Sequence, residues 1–180
     1  MNIKRSYIKF SKDDLIRLQK IALSEHEDFY IRNPHLRTEY YNSLIGICLC
    51  QGGALHYCYP DVGIGVKDID IWHFYTWSSK STFPYRARKV DMNGYRGIPL
   101  DYMKRVIPRY LFEETCEKTI MNWMFQRDTK SKKLLLTKAI VGIYPNDICG
   151  KILWKPELTE ELYKFYGVEK KLEVLEEGGF

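Results

Sequence analysis

The sequence has none of the segments that mark secreted, membrane-spanning or zinc-binding proteins. Its first ten residues, MNIKRSYIKF, lack the apolar core of a signal peptide, and no apolar run approaches the roughly 20 residues that cross a bilayer. We therefore expect a cytoplasmic protein with no membrane partner. The five cysteines are an odd number at scattered positions without the spacing of a zinc site, which favours reduced, buried thiols.

Linkers, low-complexity tracts and internal repeats are also missing. A chain of 180 residues with 45% hydrophobic and 28% charged residues is long enough to bury one core of ordinary composition. We expect N-terminal helices over residues 1–43, a core over 44–100 and a helical part over 101–180, all packed as one compact domain.

Local patterns predict the elements of the first half. Ser11, followed by two aspartates, is a typical N-cap and predicts a helix that runs to about residue 31, before Asn33 and Pro34 end it. A second short helix is expected over 35–41. The apolar run 44–50 is too short for a helix and predicts a buried strand.

After that strand, the glycines at 52 and 53 turn the chain into a short helix over 54–59, which Pro60 ends. Further strands are predicted over 66–75 and 86–92. Helical spacing of apolar residues predicts helices over 100–107, 111–125, 132–144 and 159–177. The predicted fold is α+β (α/β-like), with a small mixed sheet flanked by helices and a helical C-terminal half.

Two aspartates interrupt the apolar run over 66–75. Aspartate is rare in strands and costly to bury without a partner, so Asp68 and Asp70 require a reason. Side chains two residues apart in a strand point to the same face, which places both carboxylates together. Carboxylate oxygens are the ligands that Mg²⁺ and Mn²⁺ prefer, so the spacing indicates a divalent-cation site.

The net charge of +5 is unevenly distributed. Between Lys80 and Lys138 there are fourteen basic and six acidic residues, whereas residues 157–180 have three basic and seven acidic ones. A basic segment beside an acidic pair is typical of a metal-dependent site for phosphate substrates. It is equally typical of solvated helix surfaces, so both interpretations stay open.

Three segments, taken in order, resemble the polymerase-beta-like nucleotidyltransferase superfamily. They are Cys50-Gln51-Gly52-Gly53, Lys67-Asp68-Ile69-Asp70-Ile71 and Lys89-Val90-Asp91-Met92. That family's pattern is an apolar strand ending in Gly-Gly or Gly-Ser, a short helix, a pair of acidic residues at i and i+2, and a third carboxylate on a neighbouring strand. The resemblance covers residues 44–92, about half of the chain.

The resemblance implies a metal-dependent transfer of a nucleoside monophosphate from a nucleoside triphosphate to a hydroxyl acceptor. Asp68, Asp70 and Asp91 would be the catalytic and metal-binding residues, and the metal would be Mg²⁺ or Mn²⁺. Backbone N–H groups at Gly52 and Gly53 can approach phosphate oxygens at the start of a helix. Basic residues suited to the triphosphate are Arg86, Arg88 and Lys104.

Each assignment has an alternative. Asp68 or Asp70 can instead pair with Arg86 or Arg88 across a hairpin, and Asp91 can initiate the turn at residues 93–94. Asp101 is a rival third carboxylate, although the proline before it favours a helix start there. The two glycines can form only a tight turn. Three aromatic residues are candidates for stacking a base or for core packing, namely Trp72, Trp77 and Tyr85.

Other functions stay open as well. An inactive nucleotide-binding module of the same fold is favoured if the carboxylate at 91 faces away from the aspartate pair. A metal-dependent glycosyltransferase would use the two aspartates, but that function leaves the glycine turn unexplained. A metal-dependent nuclease is weakened because this sequence lacks the lysine that such enzymes carry after the strand aspartates. Gly53 also stands where many family members have a phosphate-binding serine, and the absence of a nucleic-acid-binding appendage argues against a polymerase. The acceptor can be a small molecule, a protein or an RNA end.

Overall fold

The computed structural model describes residues 4–80, 82–84, 87–126 and 137–168, which form five helices and a six-stranded mixed sheet. The helices are α1 (Lys12–Arg32), α2 (Pro34–Tyr40), α3 (Gln51–Cys58), α4 (Cys116–Gln126) and α5 (Glu160–Tyr166). The strands are β1 (Leu44–Cys50), β2 (Ile69–Thr76), β3 (Arg88–Tyr95), β4 (Ile98–Ile107), β5 (Ala139–Tyr144) and β6 (Ile152–Trp154). No helix in these ranges is long and apolar enough to cross a membrane.

The strands lie in the order β3-β4-β2-β1-β5-β6. β2 and β4 pair in parallel, whereas every other neighbouring pair is antiparallel. The chain between β2 and β4 forms β3, which pairs with the outer side of β4. As a result, the amino ends of β2 and β4 lie at one edge of the sheet and their carboxyl ends at the other.

Alternate residues of the central strands enter two separate cores. On one side, which we call the α1 face, strand residues pack against α1 and α3; its buried members include Leu15, Leu18, Ile47, Leu49, Leu55 and Ile71. The opposite side, the α4 face, includes Cys48, Trp72, Phe74, Ile120 and Trp123. Because both faces are covered, β1 is almost continuously apolar, as the sequence predicts.

α1 begins with the expected cap. The Ser11 hydroxyl accepts from the Asp14 backbone N–H at 3.2 Å, and the Asp14 carboxylate accepts from the Ser11 N–H at 2.8 Å. This reciprocal arrangement satisfies two N–H groups at the helix start. The same carboxylate accepts from the Tyr95 hydroxyl at 2.6 Å, so the cap also holds the β3–β4 hairpin against α1.

The prediction of a helical C-terminal half is wrong. Residues 100–107, predicted as a helix, belong to β4, and residues 139–144 form β5. The boundary predicted at residue 100 therefore falls inside a strand. The predicted helix over 111–125 is observed in shorter form as α4, and α5 accounts for part of the one predicted over 159–177. Residues 127–136 and 169–180 lie outside the described residues.

The hairpin explains why Pro99 does not start a helix. β3 continues past Gly94, and the turn falls at Arg96 and Gly97, both with positive φ, as a two-residue hairpin requires. Gly94 also has a positive φ, and a Cβ there would lie 1.8 Å from the Ile98 carbonyl oxygen. Only glycine fits this close approach, which sends the chain back as β4.

A buried ion pair joins β4 to α1. The side chains of Lys104 and Glu25 are 1% and 3% exposed, and their Nζ and Oε1 atoms lie 3.2 Å apart. Glu25 also accepts from Lys89 at 2.6 Å and from Arg32 at 2.8 Å. Burial raises the pKa of Glu25, but the three cations outweigh it and the pKa is lowered. The Glu25 carboxylate therefore stays ionised within the fold.

We expect Glu25→Gln to lower the free energy of unfolding by about 3–5 kcal/mol, because it leaves Lys104 buried without its counter-charge. The measurement is urea denaturation at neutral pH. Glu114→Gln, which breaks the exposed Glu114–Lys118 pair, is the matched control and should change stability by less than about 1 kcal/mol. Equal effects of the two substitutions would contradict the assignment.

Candidate metal and nucleotide site

Three carboxylates converge at the amino ends of β2 and β4. One ligand atom from each of Asp68, Asp70 and Asp101 lies within 4.8 Å of the others. Asp70 and Asp101 are buried, and Asp68 is partly exposed. Carboxylate oxygens at this separation can hold a divalent cation.

The strand register produces this convergence. Asp70 and Asp101 are direct partners in the parallel β2–β4 ladder, so their side chains point to the same face of the sheet. Asp68 precedes the first residue of β2 and is two positions from Asp70, as the sequence spacing predicts. Cys50 is the partner of Asp70 on β1, which places the group on the α4 face.

The structure does not bring Asp91 to this group. Its partner on β4 is Leu100, whereas Asp101 pairs with the neighbouring Val90. Asp91 therefore points to the opposite face, and its Oδ1 accepts from the Asn93 backbone N–H at 3.0 Å, as a turn aspartate does. Asp101 takes the place that the sequence analysis gave to Asp91, because Pro99 lies within strand β4 and does not start a helix.

The charge of the group is incompletely balanced by protein groups. Burial raises the pKa of Asp70, and the neighbouring Asp68 and Asp101 carboxylates raise it further, to about 8. The positive charges of Lys138 and Arg88 lower the pKa of Asp70, but by less than burial and the two carboxylates raise it. Near neutral pH, Asp70 therefore holds a proton when no cation is bound.

Arg88 neutralises Asp101 directly. Its Nε lies 2.8 Å and 3.0 Å from the two carboxylate oxygens, and its Nη2 lies 2.6 Å from Oδ2. The Arg88 side chain is 56% exposed, so the guanidinium reaches the group from the solvent side. This pairing is the cross-hairpin alternative that the sequence left open, with Asp101 as the partner in place of Asp68 or Asp70.

Gln51 is a site residue that the sequence analysis missed. Its Nε2 donates to Asp70 Oδ1 at 2.8 Å. The backbone φ of Gln51 is +57°, a left-handed conformation that costs a non-glycine residue on the order of 1–3 kcal/mol. The strained junction between β1 and α3 directs this side chain to the carboxylates, and no pattern in the sequence signals it.

Gly52 and Gly53 form the first turn of α3 and differ in their surroundings. A Cβ on Gly53 would lie 3.3 Å from Leu49 Cδ1 and 3.7 Å from the Asp68 carbonyl oxygen, so close packing favours glycine there. A Cβ on Gly52 would meet nothing within 4 Å. The first turn of α3 therefore presents an open backbone near the carboxylate group, where N–H groups are available to an anion.

Lys138 acts on the group from a distant part of the sequence, and Arg5 lies on the same aromatic ring as Lys138. Lys138, just before β5, lowers the pKa of Asp70, while burial lowers its own pKa. Its Nζ lies 5.2 Å from the ring centre of Tyr166 on α5, and the Arg5 guanidinium lies 5.9 Å from the same ring. The sequence analysis assigned neither cation to the site, because only the fold brings residues 5 and 138 together.

The remaining predicted residues lie elsewhere. Lys104 is on the α1 face, where Glu25 binds it, and is not beside the carboxylates. Trp72 is buried on the α4 face beneath the Arg105 guanidinium, which lies 5.1 Å from its ring centre. Trp77 follows the carboxyl end of β2, at the opposite edge of the sheet. Arg86 and Tyr85 lie outside the described residues.

We expect Asp70→Asn to remove a pH dependence from the metal-free protein. The folded carboxyl keeps its proton to about pH 8, whereas the unfolded one releases it near 3.8. The contribution of this carboxyl to the free energy of unfolding is fully present below about pH 4 and is lost as the pH rises through 8. Over that range it falls by at most about 1.4 kcal/mol per pH unit. Asparagine still accepts from Gln51 but cannot ionise.

The measurement is denaturation in EDTA from pH 4 to 9 for the wild type and the variant. The difference in unfolding free energy should grow with pH in favour of the variant. Added Mg²⁺ or Mn²⁺ should stabilise the wild type and have a much smaller effect on the variant. Parallel pH profiles, or equal metal responses, would show that Asp70 does not carry the charge described here.

Comparison of the chain with protein-family models, with curated proteins and with solved structures found no match. The interpretation of the site therefore rests on its own residues, their separations and their charges.

Proposed function

We propose that the protein is a metal-dependent nucleotidyltransferase that moves a nucleoside monophosphate from a nucleoside triphosphate to a hydroxyl acceptor. The observation that carries the proposal is the convergence of Asp68, Asp70 and Asp101 beside the open first turn of α3. The acceptor oxygen bonds to the α-phosphorus and its proton passes to water, while the α-phosphorus–oxygen bond to the β-phosphate breaks and pyrophosphate leaves. The acceptor can be a small molecule, a protein or an RNA end.

The three carboxylates fit Mg²⁺ or Mn²⁺, because hard divalent cations prefer oxygen ligands. A cation bound there supplies Lewis-acid stabilisation of the charge on the phosphate oxygens. Asp68, Asp70 and Asp101 would hold it, and Gln51 keeps Asp70 in position through its hydrogen bond. The like charges that raise the pKa of Asp70 are the same charges that favour a cation.

Protein cations on two sides of the carboxylates suit the triphosphate. Arg88 approaches from β3, and Lys138 with Arg5 approaches from the segments beside α5. One guanidinium group can donate two parallel hydrogen bonds to a phosphate, whereas a lysine ammonium acts as a single positive charge. The backbone N–H groups at Gly52 and Gly53 add uncharged donors.

The decisive comparison is Asp101→Asn against Asp91→Asn. Loss of Asp101 removes a carboxylate from the group, so we expect transfer to fall at least about a hundredfold. Asp91 lies on the other face, and asparagine can still accept from the Asn93 N–H, so Asp91→Asn should stay within about twofold of the wild type. The assay follows label from four α-labelled triphosphates, with Mg²⁺ or Mn²⁺, into total RNA, proteins and small metabolites.

Circular dichroism of both variants is the control for folding. Equal losses in the two variants would contradict the assignment of Asp101 in place of Asp91. Failure of the wild type to transfer label to any of the three acceptor pools, together with failure of triphosphate and metal to raise its melting temperature, would contradict the proposal itself.

A second candidate is an inactive nucleotide-binding module of the same fold. The observation that favours it is the Arg88–Asp101 pair, because a guanidinium bound through three contacts already neutralises one of the three carboxylates. In such a module the triphosphate would bind to the cations and the α3 N-terminus without a metal.

Arg88→Gln separates the two candidates. If Asp101 binds a metal, removal of the competing guanidinium should lower the Mg²⁺ concentration for half-maximal thermal stabilisation by roughly threefold or more. Arg37→Gln, which removes an exposed arginine paired with Glu27, is the matched control and should have no effect. An inactive module predicts triphosphate stabilisation that is independent of Mg²⁺ in the wild type and in both variants.

A further inference from the structure

A concave surface lies at the edge of the sheet opposite the carboxylates. It is a groove of about 820 Å³, which is within the range of ligand-binding sites, between α2, the segment after β2 and the segment after β4. Trp77 and Asp70 are seven residues apart along β2 and its continuation, which corresponds to roughly 23 Å in a strand. The groove is therefore a separate site.

Two large aromatic side chains line the groove and remain exposed. Trp77 is 49% exposed and Tyr110 is 81% exposed. Their backbones are held firmly: the Trp77 N–H donates to the Ile107 carbonyl at 3.0 Å, and Leu111, beside Tyr110, is buried in the core of the α4 face. Because the backbone positions are fixed, the two rings are presented to solvent by the fold.

The floor of the groove is also fixed. The Tyr40 hydroxyl donates to the Ser78 carbonyl at 3.1 Å, and the Ser78 hydroxyl donates to Glu39 at 3.0 Å. Glu39, the acidic residue that lines the groove, is thus engaged by a protein hydroxyl. The other charged lining residues are Lys80 and Arg109, both exposed, and neither forms a salt bridge within the described part of the chain.

We propose that this groove binds single-stranded nucleic acid. Exposed aromatic rings stack on unpaired bases of any sequence, and nearby lysine and arginine side chains bind the phosphates that link them. The charge of the groove agrees with such a ligand, since its lining carries two cationic side chains, Lys80 and Arg109, against one carboxylate, Glu39. Double-stranded nucleic acid does not offer its base faces, so the aromatic pair selects for single strands.

The test is fluorescence anisotropy of labelled oligo(U) and oligo(dT) of about twelve nucleotides, a length within the usual site size. The full chain is used in EDTA without triphosphate, so the result does not depend on the proposed transferase activity. We expect the double variant Trp77→Ala/Tyr110→Ala to bind at least about tenfold more weakly. Lys80→Ala/Arg109→Ala should weaken binding and reduce the salt slope, log K against log[salt], by about 1.4.

The matched control is Tyr7→Ala/Lys20→Ala, which removes an exposed aromatic residue and an exposed lysine outside the groove and should bind as the wild type does. In the wild type, bound oligonucleotide should protect tryptophan fluorescence from quenching by acrylamide. This protection should disappear in the Trp77→Ala/Tyr110→Ala variant. Oligo-glutamate of the same length tests whether the groove is a general anion surface that also binds acidic proteins.

Three results would overturn the proposal. They are absence of oligonucleotide binding by the wild type at low salt, equal weakening in the control variant, and oligo-glutamate binding that matches the oligonucleotides. A preference between the RNA and DNA probes identifies which nucleic acid is bound and supports the proposal in either direction. Circular dichroism melting of each variant shows that the losses do not come from unfolding.

Discussion

The parallel pairing of β2 with β4 is the constraint on which the rest of the structure depends. It makes Asp70 and Asp101 neighbours on one face, and Asp68 joins them from the residue before β2. Like charges at this distance oppose folding. Since the strands are buried on both faces by two hydrophobic cores, apolar burial offsets that repulsion and holds the carboxylates together.

β4 separates its charged residues between the two faces, and each charge meets a different partner. Asp101 lies on the α4 face with Arg88, whereas Lys104 lies on the α1 face with Glu25. The Arg88 side chain of the Asp101 pair is exposed to solvent, whereas both side chains of the Lys104–Glu25 pair are almost completely buried. Hence the Glu25 pair anchors the fold, whereas under the proposed function the Asp101 pair would exchange partners when a ligand binds.

The elements before β4 could be predicted because their signals are local. The Ser11 cap, the apolar run of β1 and the two-residue spacing of Asp68 and Asp70 each indicate their structure from adjacent residues. β4 could not, because IPLDYMKRVI contains buried charged residues, among them Lys104, whose partner Glu25 is 79 residues away in the chain. Without that partner in view, a central strand looks like an amphipathic helix. Gln51 and Lys138 were missed, and Asp101 was named only as a rival to Asp91, for the same reason: their roles arise from long-range pairing.

Two positive groups offset part of the charge of the three carboxylates. A proton on Asp70 and the guanidinium on Asp101 each cancel one negative charge of the group. Under the proposed function, a bound cation would neutralise the carboxylates in place of the proton and the guanidinium. Asp70 would then release its proton, and Arg88 would be free to bind the triphosphate. The same residues can therefore stabilise the empty protein and bind the substrate, without a separate set of groups for each state. Under the same proposal this exchange would require Arg88 to be solvent-accessible, and its position on the edge strand β3 provides that access.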